Sequence, residues 1–246
     1  MINGLVLSVG MPRAGSGWHY NLIHDLILAG GGQDARRIRQ RYRLQGLLTE
    51  VNCNIGTLSP YRLLPVLVPA LLGNTFAVKT HAGPTATSRW LMRSERLTPT
   101  YVYRDPRAAL LSAYEVGKRA AEQGRSNAFS GLTSLDRAAN FMQQYVAIWQ
   151  QWMAVEGVLT VRYEDMVSHY DEAGQRLVIY LGLSTEDKTV SAVLEKYRPE
   201  HGENGQRGTH FSQGKAERFR RVLTAEQLEA FTSAFSDPLK QMGYPA

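Results

Sequence analysis

The stretch Leu5-Val-Leu-Ser-Val-Gly10-Met-Pro-Arg-Ala-Gly15-Ser-Gly-Trp18 decides the fold. Its first five residues are a short apolar run, the pattern of a buried strand. Gly10 and Gly15 bracket a turn, and Trp18–Ala29 carries a helical pattern. A strand, a glycine-rich turn and a helix start in that order make an anion site. The glycines let backbone N–H groups approach a phosphate or sulfate, and the helix N-terminus adds partial positive charge. The spacing of Gly10 and Gly15 matches G-x-x-x-x-G-K-[ST], but Ser16 stands where that pattern has lysine. The cation, Arg13, sits inside the loop instead. This points away from ATP or GTP hydrolysis and towards another phosphate-bearing donor.

Outward from this stretch, short apolar runs alternate with amphipathic ones. Strands are predicted at 4–9, 75–79, 100–103 and 158–162. Helices are predicted at 17–28, from Pro60 to about Leu72, at 106–123, 134–155, 169–181 and 184–197. Pro65 and Pro69 are expected to kink or interrupt the second of these. Ser184 is expected to cap the last, and Thr224-Ala-Glu-Gln227 reads as a capping box opening a further helix. Phe141, Tyr145, Ile148, Trp149 and Trp152 share one face of the 134–155 helix and read as core. The alternation predicts an α/β fold with a mainly parallel central sheet and helices on both faces. Ligands in such folds bind at the C-terminal strand ends.

The 246 residues suit one domain, 1–246. With 43% hydrophobic and 20% charged residues, a globular, soluble chain is expected. The single cysteine, Cys53, excludes an intrachain disulfide and cysteine-based metal sites, and suits a reducing compartment. The N-terminus has no signal-peptide pattern, and no transmembrane run follows, so a cytoplasmic location is expected. The net charge of +6 fits nucleic acid, a membrane surface or a small polyanion. Its densest cluster, Arg36 to Arg43, reads as a solvated helix face or as a contact for an acidic partner. No zinc-finger spacing, aromatic RNA-binding signature or basic tail is present, so neither nucleic acid nor a membrane is expected as partner.

Three further stretches carry chemistry. Phe76-Ala-Val-Lys-Thr-His81 ends a strand on a lysine and a histidine. There His81 can take a proton from an attacking hydroxyl, and Lys79 can offset charge on a transferred group. In Tyr101-Val-Tyr-Arg-Asp-Pro-Arg107, Arg104 ends a strand and Ser112 follows two turns into the next helix. Either the pair grips a second phosphate, or Arg104 pairs with Asp105 and Ser112 is incidental. In Val161-Arg-Tyr-Glu-Asp165 the two carboxylates read as structural, pointing to opposite faces of an extended segment.

Together these stretches resemble the sulfotransferases that use 3′-phosphoadenosine 5′-phosphosulfate (PAPS). That family's 5′-phosphosulfate loop reads P-K-S-G-T-T-W. Here it is Pro12-Arg-Ala-Gly-Ser-Gly-Trp18, identical at Pro12, Gly15 and Trp18. Lys79-Thr-His81 matches the family's K-T-H, Arg104 and Ser112 match its 3′-phosphate spacing, and Tyr163-Glu-Asp165 matches its Y-E-D. The resemblance implies a P-loop-like three-layer α/β/α fold and PAPS as donor, with adenosine 3′,5′-bisphosphate (PAP) as product and no metal. It implies that Arg13, Ala14, Gly15, Ser16, Gly17 and Trp18 hold the phosphosulfate. Arg104 and Ser112 would hold the 3′-phosphate, Tyr163 would contact adenine, and His81 would be the base.

Three departures stand out. Arg13 replaces a lysine and cannot release a proton, so either Arg13 or Lys79 assists the leaving group. Gly17 replaces a hydroxyl residue. The C-terminal R-K-G-x-x-G-D-W segment survives faintly as Ser212-Gln-Gly-Lys-Ala-Glu-Arg-Phe219, where Gly214 and Lys215 either reach the 3′-phosphate or belong to a plain surface loop. The expected activity is sulfuryl transfer to a hydroxyl or amine of a small-molecule or glycan acceptor. The alternatives are a P-loop kinase using ATP and Mg²⁺ and a non-catalytic nucleotide-binding protein. Segments 30–72 and 199–214 are expected to shape the acceptor pocket. Trp18, His19, Tyr20 and Trp90 are candidates for its wall or for core. The oligomeric state is not readable.

Overall fold

A computed structural model describes residues 2, 4–201 and 217–245. The order of elements is β1 (Leu5–Gly10), α1 (Ser16–Ala29), α2 (Ala35–Arg41), α3 (Pro60–Leu71), β2 (Phe76–Thr80), α4 (Ala86–Arg93), β3 (Leu97–Tyr103) and α5 (Pro106–Glu122). Then follow α6 (Leu135–Met153), β4 (Leu159–Arg162), α7 (Tyr163–Ser168), α8 (Tyr170–Tyr180), α9 (Lys188–Lys196), α10 (Phe219–Val222), α11 (Ala225–Ala234) and α12 (Ser236–Met242).

The four strands form one parallel sheet in the order β2-β1-β3-β4, flanked by helices. All of β1 and β2 is buried, which is why both read as mainly apolar at their starts rather than alternating, with Ser8, Lys79 and Thr80 as buried polar residues. The edge strand β4 is mostly half-buried. The chain leaves β1 for β2 on one side and returns to β3 on the other. The direction of winding therefore reverses between β1 and β3, and a crevice opens at their C-terminal ends. Gly10 pairs in register with Val102, and the Met11 N–H donates to the Val102 carbonyl at 2.9 Å. The glycine loop and Arg104 thus flank that crevice.

Several expectations are corrected. α3 runs unbroken through Pro65 and Pro69. The carbonyl that Pro65 deprives of a donor belongs to Tyr61, an exposed residue, and buried Leu63, Val66 and Leu67 hold the helix in place. The helix predicted from Ser184 starts later, capped by Asp187, whose carboxylate accepts from the Thr189 N–H at 2.7 Å. Tyr163-Glu-Asp165 is not extended but opens α7. Glu164 and Asp165 thereby occupy a helix's first turn, where negative charge is favoured. The arginine cluster is only partly a solvated face: Arg36 donates to the Val51 carbonyl and Arg39 to the Leu48 carbonyl, bracing the irregular segment 43–59. Of the α6 stripe, Trp149 and Trp152 are core, whereas Phe141, Tyr145 and Ile148 are only half-buried.

Candidate active site

The loop is built on glycines for two different reasons. A Cβ on Gly10 would lie 2.7 Å from the Ser16 Cβ and 2.8 Å from a Val102 methyl, so only glycine lets β1 turn so tightly against α1 and β3. Gly15 has φ +73°, and a Cβ there would meet the Tyr163 ring at 2.8 Å. Gly15→Ala is therefore expected to destabilise the fold by about 1–3 kcal/mol, from left-handed strain plus displacement of Tyr163. A lowered urea midpoint with unchanged slope checks it.

Gly15 caps α1 without any side-chain bond. The first helical bond runs from the His19 N–H to the Gly15 carbonyl at 2.9 Å, which leaves the N–H groups of Ser16 and Gly17 ahead of the helical ladder. The N-terminal end of a 14-residue helix therefore opens on the crevice.

One cleft is lined by Pro12, Arg13, Gly15, Ser16, Gly17, Trp18, Asn52, Lys79, His81, Arg104, Ser112, Phe129 and Tyr163. The four stretches singled out in the sequence thus meet in one place. Ala14 is the exception among the loop candidates: its side chain is fully buried and its N–H donates to the Met11 carbonyl at 3.2 Å. Gly214 and Lys215 lie outside the described residues. His19 and Tyr20 are fully buried, hence core rather than acceptor wall, and Trp90 is 58% exposed on the outer side of α4.

Among the described residues, the lining holds three cations and no carboxylate. Arg13 donates from Nε to the Ser112 hydroxyl at 3.1 Å, with its guanidinium 5.7 Å from the Phe129 ring centre. Burial and then neighbouring Arg104 push its pKa down. Lys79 is 7% exposed, and burial, reinforced by Arg13, lowers its pKa to about 8. A lysine in that state titrates near neutral pH, unlike arginine.

Arg104 resolves the ambiguity of Arg104-Asp105-Pro-Arg107. Asp105 belongs to Arg107, a buried pair at 2.8 Å, and also caps α5 through the Arg107 N–H at 2.9 Å. Arg104 is left to the cleft. It sits 4.3 Å from the centre of the Tyr163 ring and reaches the Arg13 carbonyl at 3.4 Å, while its buried Nε has no hydrogen-bond partner among the described residues. The carboxylate of Glu164 accepts from the Tyr244 hydroxyl at 2.6 Å, which supports its structural reading.

His81 donates from Nδ1 to the Gly10 carbonyl at 2.5 Å. A carbonyl only accepts, so Nδ1 carries the proton and Nε2 presents a lone pair. Burial, then Lys79, lowers its pKa to about 4, keeping the ring neutral at pH 7. Tyr145 packs edge-on to the imidazole, with centroids 6.4 Å apart, and Phe141 packs on Tyr145 at 4.9 Å. Trp18 stacks on Tyr170 at 6.0 Å, and its Nε1 donates to the Tyr197 carbonyl at 3.0 Å.

Asn52 and Phe129 were not singled out in the sequence. Asn52 arrives because the irregular segment before α3 hydrogen-bonds alongside the end of β2: the Lys79 N–H donates to the Cys53 carbonyl and the Ile55 N–H to the Lys79 carbonyl. Its Oδ1 is buried without a protein donor. Phe129 lies in the loop between α5 and α6, held against Gly117, where even a Cβ would come within 2.2 Å of the Phe129 carbonyl.

The sequence matches the sulfotransferase domain family over residues 5–243, nearly its whole length. The chain belongs to the sulfotransferase family. No curated protein sequence matches it. The fold of this sulfotransferase is similar to that of mouse sulfotransferase SULT7A1 complexed with PAP, at TM-score 0.62 and 13% identity over 98% of this chain and 85% of that one. It is also similar to retinol dehydratase in complex with androsterone and inactive cofactor PAP, at TM-score 0.60 and 18% identity over 96% and 80% of the two chains. These likenesses show the fold. Among its described residues, no helix of the sulfotransferase is long and apolar enough to cross a membrane.

Proposed function

We propose that the cleft transfers the sulfuryl group of PAPS to a hydroxyl or amine of a small-molecule acceptor. The observation that carries this reading is the convergence of Arg13, Lys79 and Arg104 on the glycine loop, with no carboxylate among the described lining residues and a base-competent imidazole beside them. The residues fit the donor: Arg104 keeps an unpartnered buried Nε for an anion, and α1 offers an uncapped N-terminus. When bound, PAPS supplies a sulfuryl group already attached to a stabilised phosphate leaving group.

In this reading, the N–H groups of Ser16 and Gly17 and the Arg13 guanidinium bind the 5′-phosphosulfate. Arg104 and Ser112 bind the 3′-phosphate, and Tyr163 contacts the adenine. His81 Nε2 takes the proton of the acceptor hydroxyl as the new O–S bond forms and the S–O bond to phosphate breaks. Lys79 places its ammonium against the charge that builds on the departing oxygen and can release a proton to it. Arg13, always protonated, supplies fixed charge only. Gly214 and Lys215 stay as candidate 3′-phosphate contacts. The whole chain acts as one domain, and a cytoplasmic location suits its single cysteine.

The acceptor side follows from the half-buried α6 residues. Phe141 and Tyr145 continue from His81 as an aromatic wall, and the Asn52 Oδ1 offers one acceptor for a donor group. A flat, largely apolar alcohol or amine suits this wall. A glycan would need an array of polar side chains there instead.

Arg104→Ala is expected to weaken PAP by roughly 2–4 kcal/mol, the magnitude of a lost buried charged contact. Binding of adenosine 5′-phosphate, which lacks the 3′-phosphate, should hardly change. Calorimetric titration of both nucleotides checks this; equal losses would remove Arg104 from the 3′-phosphate.

A further inference from the structure

α3 has two apolar faces and only one is used. Leu63, Val66 and Leu67 are buried, whereas Tyr61, Leu64, Val68, Leu71 and Leu72 are exposed, by 89% for Tyr61 and 66% for Leu72. The exposed set falls at steps of three and four, a continuous stripe along the helix. The neighbouring α4 runs in the same direction. The Thr85 hydroxyl at its start donates to the Leu58 carbonyl just before α3, at 2.8 Å. At the other end, Leu71 shares a surface cleft with Ser94 and Arg96. α4 contributes Trp90, 58% exposed. Six of the ten exposed large hydrophobic residues described in the chain therefore lie on two adjacent helices. A contiguous exposed apolar surface rimmed by polar residues marks an interaction site.

Arginines surround the C-terminal end of this face. Asn74, just past α3, donates to the Tyr42 hydroxyl at 3.2 Å, which brings the exposed Arg41 and Arg43 to that end. Arg93 and Arg96, both exposed, stand at the end of α4, with Glu95 between them in sequence. The surface thus combines Trp, Tyr, Leu and Val with a basic rim on a protein of net charge +6.

We infer that the α3–α4 face is a peripheral docking surface for an anionic lipid bilayer. Two physical features favour this occupant. The stripe is the outward side of a helix, so it can project into a flat apolar phase. Trp and Tyr suit the headgroup boundary, and arginines suit anionic headgroups. A second copy would set one basic rim on a protein already carrying the same excess charge. Periodicity alone does not mark this face, because each apolar residue of 60–72 reads equally well as core. The inference is independent of the sulfuryl-transfer reading.

The test is co-sedimentation of the full chain with phosphatidylcholine vesicles and with vesicles containing phosphatidylserine, beside sedimentation velocity without lipid. The expected result is binding to the phosphatidylserine vesicles that salt weakens. The double variant Arg41→Glu/Arg93→Glu should lower that binding about 30-fold or more, taking the usual gain per basic residue. The triple variant Leu64→Ser/Val68→Ser/Leu72→Ser should abolish it while circular dichroism and PAP binding stay unchanged. Absence of vesicle binding by the parent chain overturns the inference. A dimer in solution that the triple variant dissociates, with no vesicle binding, assigns the face to a second copy instead.

Discussion

Replacing His81 by alanine is expected to lower sulfuryl transfer about 10²–10⁴-fold, the usual worth of a positioned general base. PAP affinity should stay within a few-fold. The reason lies in the Gly10 carbonyl. It fixes the Nδ1 proton at 2.5 Å, so the imidazole can only present Nε2 to the cleft, and it presents it as a base. Because burial and Lys79 hold the free ring's pKa near 4, His81 stays unprotonated from neutral pH down to about 5, and the acid limb of the rate profile should fall below the pH of an ordinary histidine. A bound anion offsets the Lys79 charge and moves that limb upward. Steady-state rates and calorimetry on the same protein separate the two roles. Loss of nucleotide binding with the fold intact would make His81 a ligand contact instead.

Lys79→Met is expected to do two opposite things: suppress transfer by about 10²–10³-fold and stabilise the empty protein. Lys79 is buried beside Arg13 with no carboxylate among the described lining residues to answer its charge, and its pKa falls from 10.5 to about 8. The folded state therefore binds this proton less readily than the unfolded chain does. The penalty is fully present below pH 8 and disappears as pH rises towards 10.5, so parent stability should rise across that window. At pH 7.5 the shift corresponds to about 3 kcal/mol, enough to raise the melting temperature of the methionine variant by several degrees. PAP should stabilise the parent chain strongly, because an anion removes the penalty, and the variant much less. Thermal melts of both proteins with and without PAP read this directly. A variant less stable than the parent at pH 7.5 would mean that Lys79 is well accommodated without a ligand.

Most of the frame can be read from local chemistry. β1 and the first half of β2 are short apolar runs because a parallel sheet buries both faces, and the loop declares itself through two glycines at fixed spacing. Lys79 and His81 were readable because a strand end leaves polar side chains at the sheet's C-terminal edge. Other parts depend on contacts far apart in sequence. Whether Arg104 or Arg107 takes Asp105 is decided by Arg107, which reaches Thr232 and the Pro245 carbonyl. Tyr163 opens a helix because its ring packs against Gly15 and under Arg104. Asn52 and Phe129 enter from irregular segments whose path is set by β2 and α5, and no local pattern marks either. The division of the α6 stripe is similar. All five residues have the same periodicity, and only tertiary packing leaves Phe141 and Tyr145 half-buried, with Tyr145 edge-on to His81.

The most direct measurement of the donor site is a calorimetric titration of the purified protein with PAP, run beside ATP with Mg²⁺. The three cations, Ser112 and the lysine-free glycine loop lead to micromolar PAP binding with ATP far weaker. Tight binding of ATP with Mg²⁺ and no preference for PAP would contradict the PAPS reading and favour phosphoryl transfer at the same loop.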